Sequence, residues 1–375
     1  MNLIYFLSFE TLEFIGGCCQ LLPSEMALRK EKGQMAKQLN AERIFEIGNG
    51  FKSAKVLLTA VEIGVFTELA QGPKGLQELI HSMGLSSRRS SRDFFDCLVS
   101  LGLLDLDSGK YANSAEADCF LDKKKASYIG GLLEMYNDRL YGFWGNFTEA
   151  LKTGEPQNEI KDSENFFSAL YRDPIRLSRF MQAMAGISLI PAKAAAEKFN
   201  WENRRTIADI GCAQGVFLSE IIKRHPHLKG IGFDLEPVQP IFESYIEGQG
   251  IKQSLAFQKG DFFKDPLPKA DVLIFGQILH DWSLEERMHL LRKAYQALPA
   301  GGSILIYELI IDDERRKNAL GLLSSLTMLI ETQEGFDFTG KECKEWLHEA
   351  GFEEIKAVPL TGHESMVTAM KGAKD

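Results

Sequence analysis

Apolar residues fall at helical spacing from Glu42 to Leu69: Ile44, Phe45, Ile47, Phe51, Val56, Leu57, Ala60, Val61, Val65 and Phe66. A stripe of that period predicts helix packed on a core. Gly64 breaks the run and Gly72-Pro73 stops it. A short helix is predicted over Leu76 to Met83 and a longer one over Ser86 to Leu101. Leu103 to Tyr111 reads as a hairpin, with Asp107-Ser108-Gly109 at its turn. Helix, helix, hairpin is the order of a winged helix. One reading of it is DNA binding, with Arg88, Arg89 and Arg92 opening the second helix. The other is a dimerisation scaffold. That helix is heavily apolar at Phe94, Phe95, Leu98, Val99 and Leu101, and Asp93, Asp96, Asp105 and Asp107 lie close by. Carboxylates there oppose phosphate binding, which favours the scaffold.

Ser127 to Phe199 keeps helical spacing and is rich in aromatics and methionines, among them Trp144, Tyr171, Met181 and Met184. Most of these belong to a core. An apolar helical layer beside a nucleotide-type domain is also a natural substrate wall. From Arg205 onward strands and helices alternate, the pattern of an α/β sheet. Strands are predicted at Thr206 to Ile210, Lys229 to Asp234, Leu255 to Gln258, Asp271 to Phe275 and Ser303 to Glu308. Helices are predicted at Val216 to Arg224, Val238 to Gln249, Leu284 to Leu298, Lys317 to Glu331 and Lys341 to Ala350, with Gly351 closing the last. Phe352 to Val358 and Ser365 to Met370 pair as a closing hairpin. The sum is a doubly wound sheet of about seven strands.

Four segments follow: an extension over residues 1–40, a winged-helix domain over 41–125, a helical connector and pocket layer over 126–200, and a Rossmann-like domain over 201–375. Met1 to Leu22 is apolar but broken by Glu10 and Glu13, and it has no basic leading segment. It fits neither a signal peptide nor a membrane span. A poorly ordered extension is expected, with Met26 or Met35 as a natural start.

At 375 residues the chain exceeds one typical core. A net charge of -9 excludes a broad nucleic-acid surface. The six cysteines show no zinc-finger or CxxC spacing and read as reduced thiols of a cytoplasmic protein.

The chemistry gathers at strand ends. In open α/β sheets ligands bind beyond the carboxyl ends of the strands. The first strand ends in Asp209-Ile210-Gly211-Cys212-Ala213-Gln214-Gly215. Its glycines are four apart, which lets a ligand approach backbone but builds a poor diphosphate cradle. The second ends in Asp234-Leu235, an acid placed for two ribose hydroxyls. The third leads into Gly260-Asp261-Phe262, an acceptor for an exocyclic amine and a flat face for a base. Three such ends in order specify an adenosine with an uncharged or cationic 5′ substituent, and S-adenosyl-L-methionine fits. The fourth strand delivers Leu279-His280-Asp281-Trp282-Ser283. An imidazole titrates near 6.5, so His280 can deprotonate a hydroxyl at cellular pH. Glu308, at the end of the next strand, is placed to fix its tautomer. No His/Asp/Glu group has metal-ligand spacing, so a metal-dependent mechanism is not expected. His225 and His227, flanking Pro226, read as solvated, and Trp282 as packing.

Gly260-Asp261-Phe262-Phe263, Leu279-His280-Asp281-Trp282-Ser283, Pro299-Ala300-Gly301-Gly302 and Arg179-Phe180-Met181-Gln182-Ala183-Met184 resemble the dimeric small-molecule O-methyltransferases. These include caffeate-type and acetylserotonin enzymes and many bacterial natural-product enzymes. The resemblance covers roughly Phe45 to Lys371. It implies a seven-strand S-adenosylmethionine domain, a winged-helix dimerisation domain and a homodimer. It gives Gly211, Asp234, Asp261 and Phe262 cofactor roles and makes His280 the base. Tyr171 and Met181 fall where the family lines its cofactor and substrate pockets. Asp209, Gly215, Leu235 and Gly260 join the cofactor side, and Trp144, Met184 and Asp281 the acceptor side. The family's two acids beside the histidine map to Glu308 and Asp337. Its glycine loop usually reads G-G-G-x-G, where Cys212 and Ala213 stand here. Its usual Lys or Arg before the histidine is replaced by Gly276 and Gln277, so that adenine-side contact is either lost or made by Gln277. The function implied is O-methylation of a small aromatic or polyketide-like metabolite. Methylation at carbon, cofactor-assisted hydroxylation or decarboxylation, and a DNA-binding ligand sensor are the alternatives.

Overall fold

The computed structural model describes residues 39–86, 88–159 and 170–372. The extension expected over residues 1–40 therefore lies, up to residue 38, outside the described residues. The chain divides into two compact units, residues 1–52 and 53–375. Of the first, the described part holds the opening turns of α1 (Glu42–Glu62), where Ile44, Phe45, Ile47 and Phe51 are exposed.

The second unit begins with a small helical layer. After α1 come α2 (Val65–Leu69), β1 (Lys74–Gly75), α3 (Leu76–Ser82) and α4 (Arg88–Ser100), then β2 (Leu104–Asp107) and β3 (Lys110–Asn113). The three strands form one sheet in the order β1-β3-β2. The hairpin turns where expected, at Ser108 and Gly109, both with positive φ, as a tight two-residue turn requires. β1 is too short to leave a period in the sequence. On α4, Phe95 and Leu98 are fully buried and Arg92 pairs with Asp96 at 3.4 Å.

A helical connector follows, with α5 (Ala115–Leu121), α6 (Gly130–Met135), α7 (Tyr141–Phe143), α8 (Phe147–Thr153) and α9 (Pro174–Lys198). Asp173 caps α9, accepting from the N–H of Ile175 and Arg176, with Pro174 at the first helical position. Both features favour a helix start.

The last part carries β4 (Thr206–Ile210), α10 (Val216–Arg224), β5 (Lys229–Asp234), α11 (Gln239–Gly248), β6 (Leu255–Lys259), β7 (Val272–Gly276), α12 (Leu284–Ala297), β8 (Ser303–Glu308), α13 (Ala319–Glu331), α14 (Gly340–Glu349), β9 (Glu353–Pro359) and β10 (Ser365–Met370). Seven strands form one sheet in the order β6-β5-β4-β7-β8-β10-β9. β4 to β8 are parallel to one another, and β10 runs antiparallel between β8 and β9. The chain winds outward from β4 to β6 and then returns to place β7 on the other side of β4. That reversal opens a crevice between the carboxyl ends of β4 and β7. Each face of the sheet is covered. Leu273, Phe275, Ile304 and Ile306 pack under α12 and α14. Val272, Ile274, Leu305 and Tyr307 pack on the opposite face with α10 and the end of α9. Burial on both faces explains the unbroken apolar runs of β7 and β8.

Gly276 ends β7 on the second of these faces. A Cβ there would fall 1.9 Å from the ring of Tyr307, the next strand's residue. Tyr307 is itself fixed: its ring stacks on Phe217 at 4.4 Å and its hydroxyl donates to Ser188 Oγ at 3.1 Å. The absence of a long cation at position 276 is thus a packing requirement of this chain. Gly276→Ala should cost roughly 1–3 kcal/mol of stability through overpacking. Adding Tyr307→Val should make the pair less damaging than the two single losses summed. Denaturant unfolding of the three variants reads both, and additive losses would refute the overlap.

Candidate active site

β7 carries the chain to the carboxyl edge of the sheet. Gln277 follows with φ 54°, a left-handed turn, and the chain enters a 3₁₀ turn over Leu279–Asp281. His280 is the middle residue of that turn and is buried. Ser283 ends the segment as the cap of α12, in a reciprocal capping box with Glu286. The turn bearing His280 is therefore held between a strand and a capped helix.

Glu308, the last residue of β8, reaches across to this turn. Its Oε1 accepts from the N–H of Ile278 at 3.1 Å and of Leu279 at 3.0 Å. Its Oε2 stands 3.0 Å from His280 Nδ1. Asp337 Oδ1 stands 3.4 Å from the same nitrogen. Neither approach is aligned as a hydrogen bond. The far nitrogen, Nε2, faces Asp281 Oδ1 at 3.5 Å. Burial disfavours a charged imidazole here, but the charges of Glu308, Asp281 and Asp337 outweigh it and hold the His280 proton well above the ordinary histidine range. Burial likewise pushes the Asp281 carboxyl up to about 7, against the pull of His280.

His280, Glu308 and Asp337 form the single group of three His, Cys, Asp or Glu ligand atoms within 4.8 Å among the described residues. Spacings of 28 and 29 residues conceal it in the sequence. The same atoms suit an oriented imidazole. A cation already faces them, since Glu308 and Asp337 raise the affinity of the buried Arg287 for its proton, and a divalent ion beside it would meet repulsion.

The residues expected to hold the donor lie at β4, β5 and β6. Gly211 and Gly215 take φ of 76° and 87°, and Ala213 between them takes 48°. N–H groups of this loop are satisfied within the protein: Gly211 and Cys212 donate to Phe233 O, Gly215 to Cys212 O and Ala213 to Asp234 Oδ2. A Cβ at Gly211 would meet Ile278, and one at Gly215 would meet Phe242, so these two positions leave no room for a side chain. Asp234 is buried at the end of β5. Its Oδ1 accepts from Tyr171 Oη at 3.1 Å and Leu235 N at 2.8 Å, and its Oδ2 from Ala213 N at 3.0 Å. Both oxygens already have protein donors, so a ribose would share them or displace Tyr171. Burial pushes Asp234 up to about 6, and burial with Asp234 beside it pushes Asp209 up to about 8. Met181 is buried in a cluster that includes Ala213, Tyr171 and Val238.

After β6, Asp261 Oδ1 accepts from Phe263 N at 2.9 Å and its other oxygen pairs with Lys264. Gly260 precedes it, with no room for a Cβ against Phe233. Phe262 meets Trp282 edge-on at 5.8 Å, and Phe263 meets it at 4.7 Å. Trp282 thus joins the Phe262–Phe263 loop to the His280 turn. Lys293 of α12 donates to the carbonyls of Phe262, Phe263 and Asp265 at 2.6, 3.2 and 2.8 Å.

The structure brings His280, Asp281, Glu308 and Asp337 together, and gathers Asp209, Gly211, Gly215, Asp234, Leu235, Tyr171 and Met181 at the donor side. Gln277 joins the two sides by position, with its Nε2 buried and unpartnered. Trp144 stacks on Phe147 at 5.0 Å and Met184 is half-buried on α9; neither takes part in the polar contacts around His280. His227 is exposed as expected, with Nε2 3.1 Å from Trp201 O, whereas His225 is half-buried and its Nε2 lies 2.7 Å from Ala196 O, which ties α10's end to α9. The sequence reading missed Arg287, Lys293 and Tyr307. Arg287 left a signal: it stands one turn before Leu290 and Leu291 on the buried stripe of α12, where a charge is out of place.

Comparison with known proteins agrees with this geometry. Residues 144–353 match the O-methyltransferase domain model and residues 45–123 the O-methyltransferase dimerisation domain model. The chain belongs to the S-adenosylmethionine-dependent O-methyltransferases. It is 37% identical over 329 residues to the tetracenomycin polyketide synthesis 8-O-methyl transferase TcmO of Streptomyces glaucescens, covering 88% of this chain and 96% of that one. It is 32% identical over 279 residues to the N,N-dimethyltransferase OxyT of Streptomyces rimosus, covering 74% and 81%. Human N-acetylserotonin methyltransferase in complex with S-adenosylmethionine superposes with a TM-score of 0.82 at 29% identity, over 90% of this chain and all of that one.

The raised acids fix a sign for stability against pH. Between pH 6 and 8 the unfolded aspartates, near 3.9, are ionised. Folded Asp209 and Asp281, at about 8 and about 7, still bind protons in that window. His280, raised in the fold, holds its proton above the unfolded value as well. The folded state binds more protons, so stability should fall as pH rises from 6 to 8. Asp209→Asn should flatten the slope by up to about 1.4 kcal/mol per pH unit. Thermal melts of the ligand-free protein at pH 6, 7 and 8 check this, and a midpoint that climbs with pH contradicts it.

Proposed function

We propose that this enzyme methylates a hydroxyl on a small aromatic, polyketide-type acceptor, with His280 as general base. The observation that carries the proposal is the buried imidazole of His280, with Nδ1 set between Glu308 at 3.0 Å and Asp337 at 3.4 Å. Two anions on one nitrogen keep its proton there and leave Nε2 for the acceptor. S-adenosylmethionine supplies an activated methyl group. The glycine loop, Asp234 and Leu235 hold its sugar side, and Asp261, Phe262 and Gln277 its base. Asp281 lies beside Nε2 and orients the acceptor hydroxyl. The oxygen would take the methyl group that the sulfonium of S-adenosylmethionine gives up, leaving a neutral thioether, and Nε2 would take the hydroxyl proton. A histidine of raised basicity lies closer to a phenol, near 10 like tyrosine, which eases that transfer. Tyr171, Met181, Met184 and Trp144 wall the pocket. The acceptor class is supported by the name of the Streptomyces glaucescens relative, which places that protein in polyketide synthesis.

We assign residues 41–125 to a winged-helix dimerisation domain, residues 126–200 to the pocket layer and residues 201–375 to the methyltransferase domain. A second copy of the chain covers the exposed Ile44, Phe45, Ile47 and Phe51. No helix among the described residues is long and apolar enough to cross a membrane. Cys97, Cys119, Cys212 and Cys343 are free thiols, which suits a reducing cytoplasm and a role in secondary metabolism there.

His280→Ala should lower turnover about 10²–10⁴-fold while S-adenosylmethionine binds as before. The test is a labelled-donor assay over a panel of phenols and polyketides, with calorimetry of donor binding and NMR location of the new methyl. Undiminished turnover sinks the base assignment. A methyl found on carbon or nitrogen sinks the O-methylation. Because the base must be unprotonated and its proton is held tightly, kcat/KM should rise with pH through a midpoint above 6.5, the ordinary histidine value. For the dimer, Phe45→Asp with Ile47→Asp should give monomers in sedimentation; an intact dimer would count against this face.

A further inference from the structure

Arg287 is fully buried, one turn into α12. Burial lowers its affinity for its proton to a value of about 10, so it remains a cation at neutral pH. A buried cation is rare unless it has work to do or partners to satisfy it. Its partners are main-chain carbonyls around the active site. Nε donates to Trp282 O at 2.9 Å, and Nη2 to His280 O at 3.4 Å and to Phe336 O. One fork thus grips the backbone of the base, of the residue two beyond it, and of the residue just before Asp337. The planar group also lies 3.7 Å over the ring of Phe336. Nη1 has no partner.

The acidic groups that act on Arg287 come from four elements. They are Glu308 at the end of β8, Asp337 before α14, Asp281 in the His280 turn, and the Cys343 thiol on α14. Three carboxylates around one imidazole, unopposed, would fix its proton too firmly for a base. A buried cation beside the carboxylates offsets them.

We infer that Arg287 is a positioning residue for methyl transfer: it locks the His280 turn to the Asp337 segment and supplies the positive charge that limits how tightly His280 holds its proton. The inference rests on the reading of His280 as base. Lysine could keep the charge but not the fork, since a guanidinium binds several carbonyls in fixed geometry and an ammonium does not. Charge and grip are therefore separable.

The test reads the imidazole directly, without the acceptor. Protein carrying ¹³C-labelled histidine is titrated by NMR, and His280 among the seven histidines is assigned with His280→Gln. Arg287→Met, close in volume but uncharged, should raise the His280 midpoint by about one pH unit, the scale of a nearby buried charge. Arg287→Lys should leave the midpoint in place yet lower turnover on a phenol that the parent methylates, about tenfold or more. S-adenosylmethionine affinity should stay within about twofold of the parent in both, because the donor is held by β4, β5 and β6. An unmoved midpoint in Arg287→Met, or undiminished turnover in Arg287→Lys, overturns the inference. If Arg287→Met fails to fold, Arg287→Gln must show the same rise. If neither uncharged variant folds, Arg287→Lys decides alone, and a moved midpoint or normal turnover overturns the proposal. A wrong assignment of the base gives a different pattern: His280→Ala retains turnover while the titration shift persists.

Discussion

The carboxylate of Glu308 is the tie on which the site depends. Its Oε1 takes the two N–H groups that the chain exposes as it leaves β7 for the His280 turn. Its Oε2 faces the imidazole. One side chain therefore terminates a neighbouring strand, shapes the turn and faces the His280 imidazole. Backbone N–H groups leaving a strand need acceptors, and a buried carboxylate needs donors. Each requirement meets the other here. The sheet order makes this possible, because β7 and β8 are parallel neighbours and end together.

The same edge gathers more negative charge than a buried site holds comfortably. Asp209 and Asp234 lie on the donor side, and Asp281, Glu308 and Asp337 on the other. Desolvation answers part of this by raising the carboxyl groups of Asp209, Asp234 and Asp281 toward neutrality. The positive charges of His280 and Arg287 answer the rest. A cationic sulfonium donor suits such a surrounding for the same electrostatic reason. Buried polar atoms left without aligned partners, as at Asp337, cost about 1–3 kcal/mol each. Such costs are tolerated where the groups have a task.

Much of this was legible in the chain. The strand and helix boundaries from Thr206 to Met370 follow from apolar runs and punctuating glycines, because both faces of a parallel sheet are buried. The strand-end residues were readable because the α/β topology sends each carboxyl end to one edge. What the sequence concealed were contacts made across it. Position 276 reads as a lost cation, whereas it is emptied by Tyr307 on the next strand. His225 reads as surface because it flanks Pro226 in a turn, yet a carbonyl from α9's end reaches it. Arg287 reads as one charge in a helix of charges, and only burial sets it apart.

Those contacts also change what sets the distance between the two halves of the site. β7 joins them in sequence, but a strand fixes only where its own end lies. α12 contacts both halves. Arg287 holds the His280 turn and the Asp337 segment, and Lys293 holds the loop of Phe262 and Phe263. Six residues of helix span roughly 9 Å at 1.5 Å each, and a helix is stiff along its axis. Trp282, packed edge-on against Phe262 and Phe263, closes the frame at its cap. Methyl transfer demands an in-line approach within a few tenths of an ångström, and misplacement of about 1 Å costs about 10²-fold in rate. A capped helix with one cation reaching each way is a firmer ruler for that separation than the strand, which makes α12 the element that couples the Phe262 loop to the His280 turn.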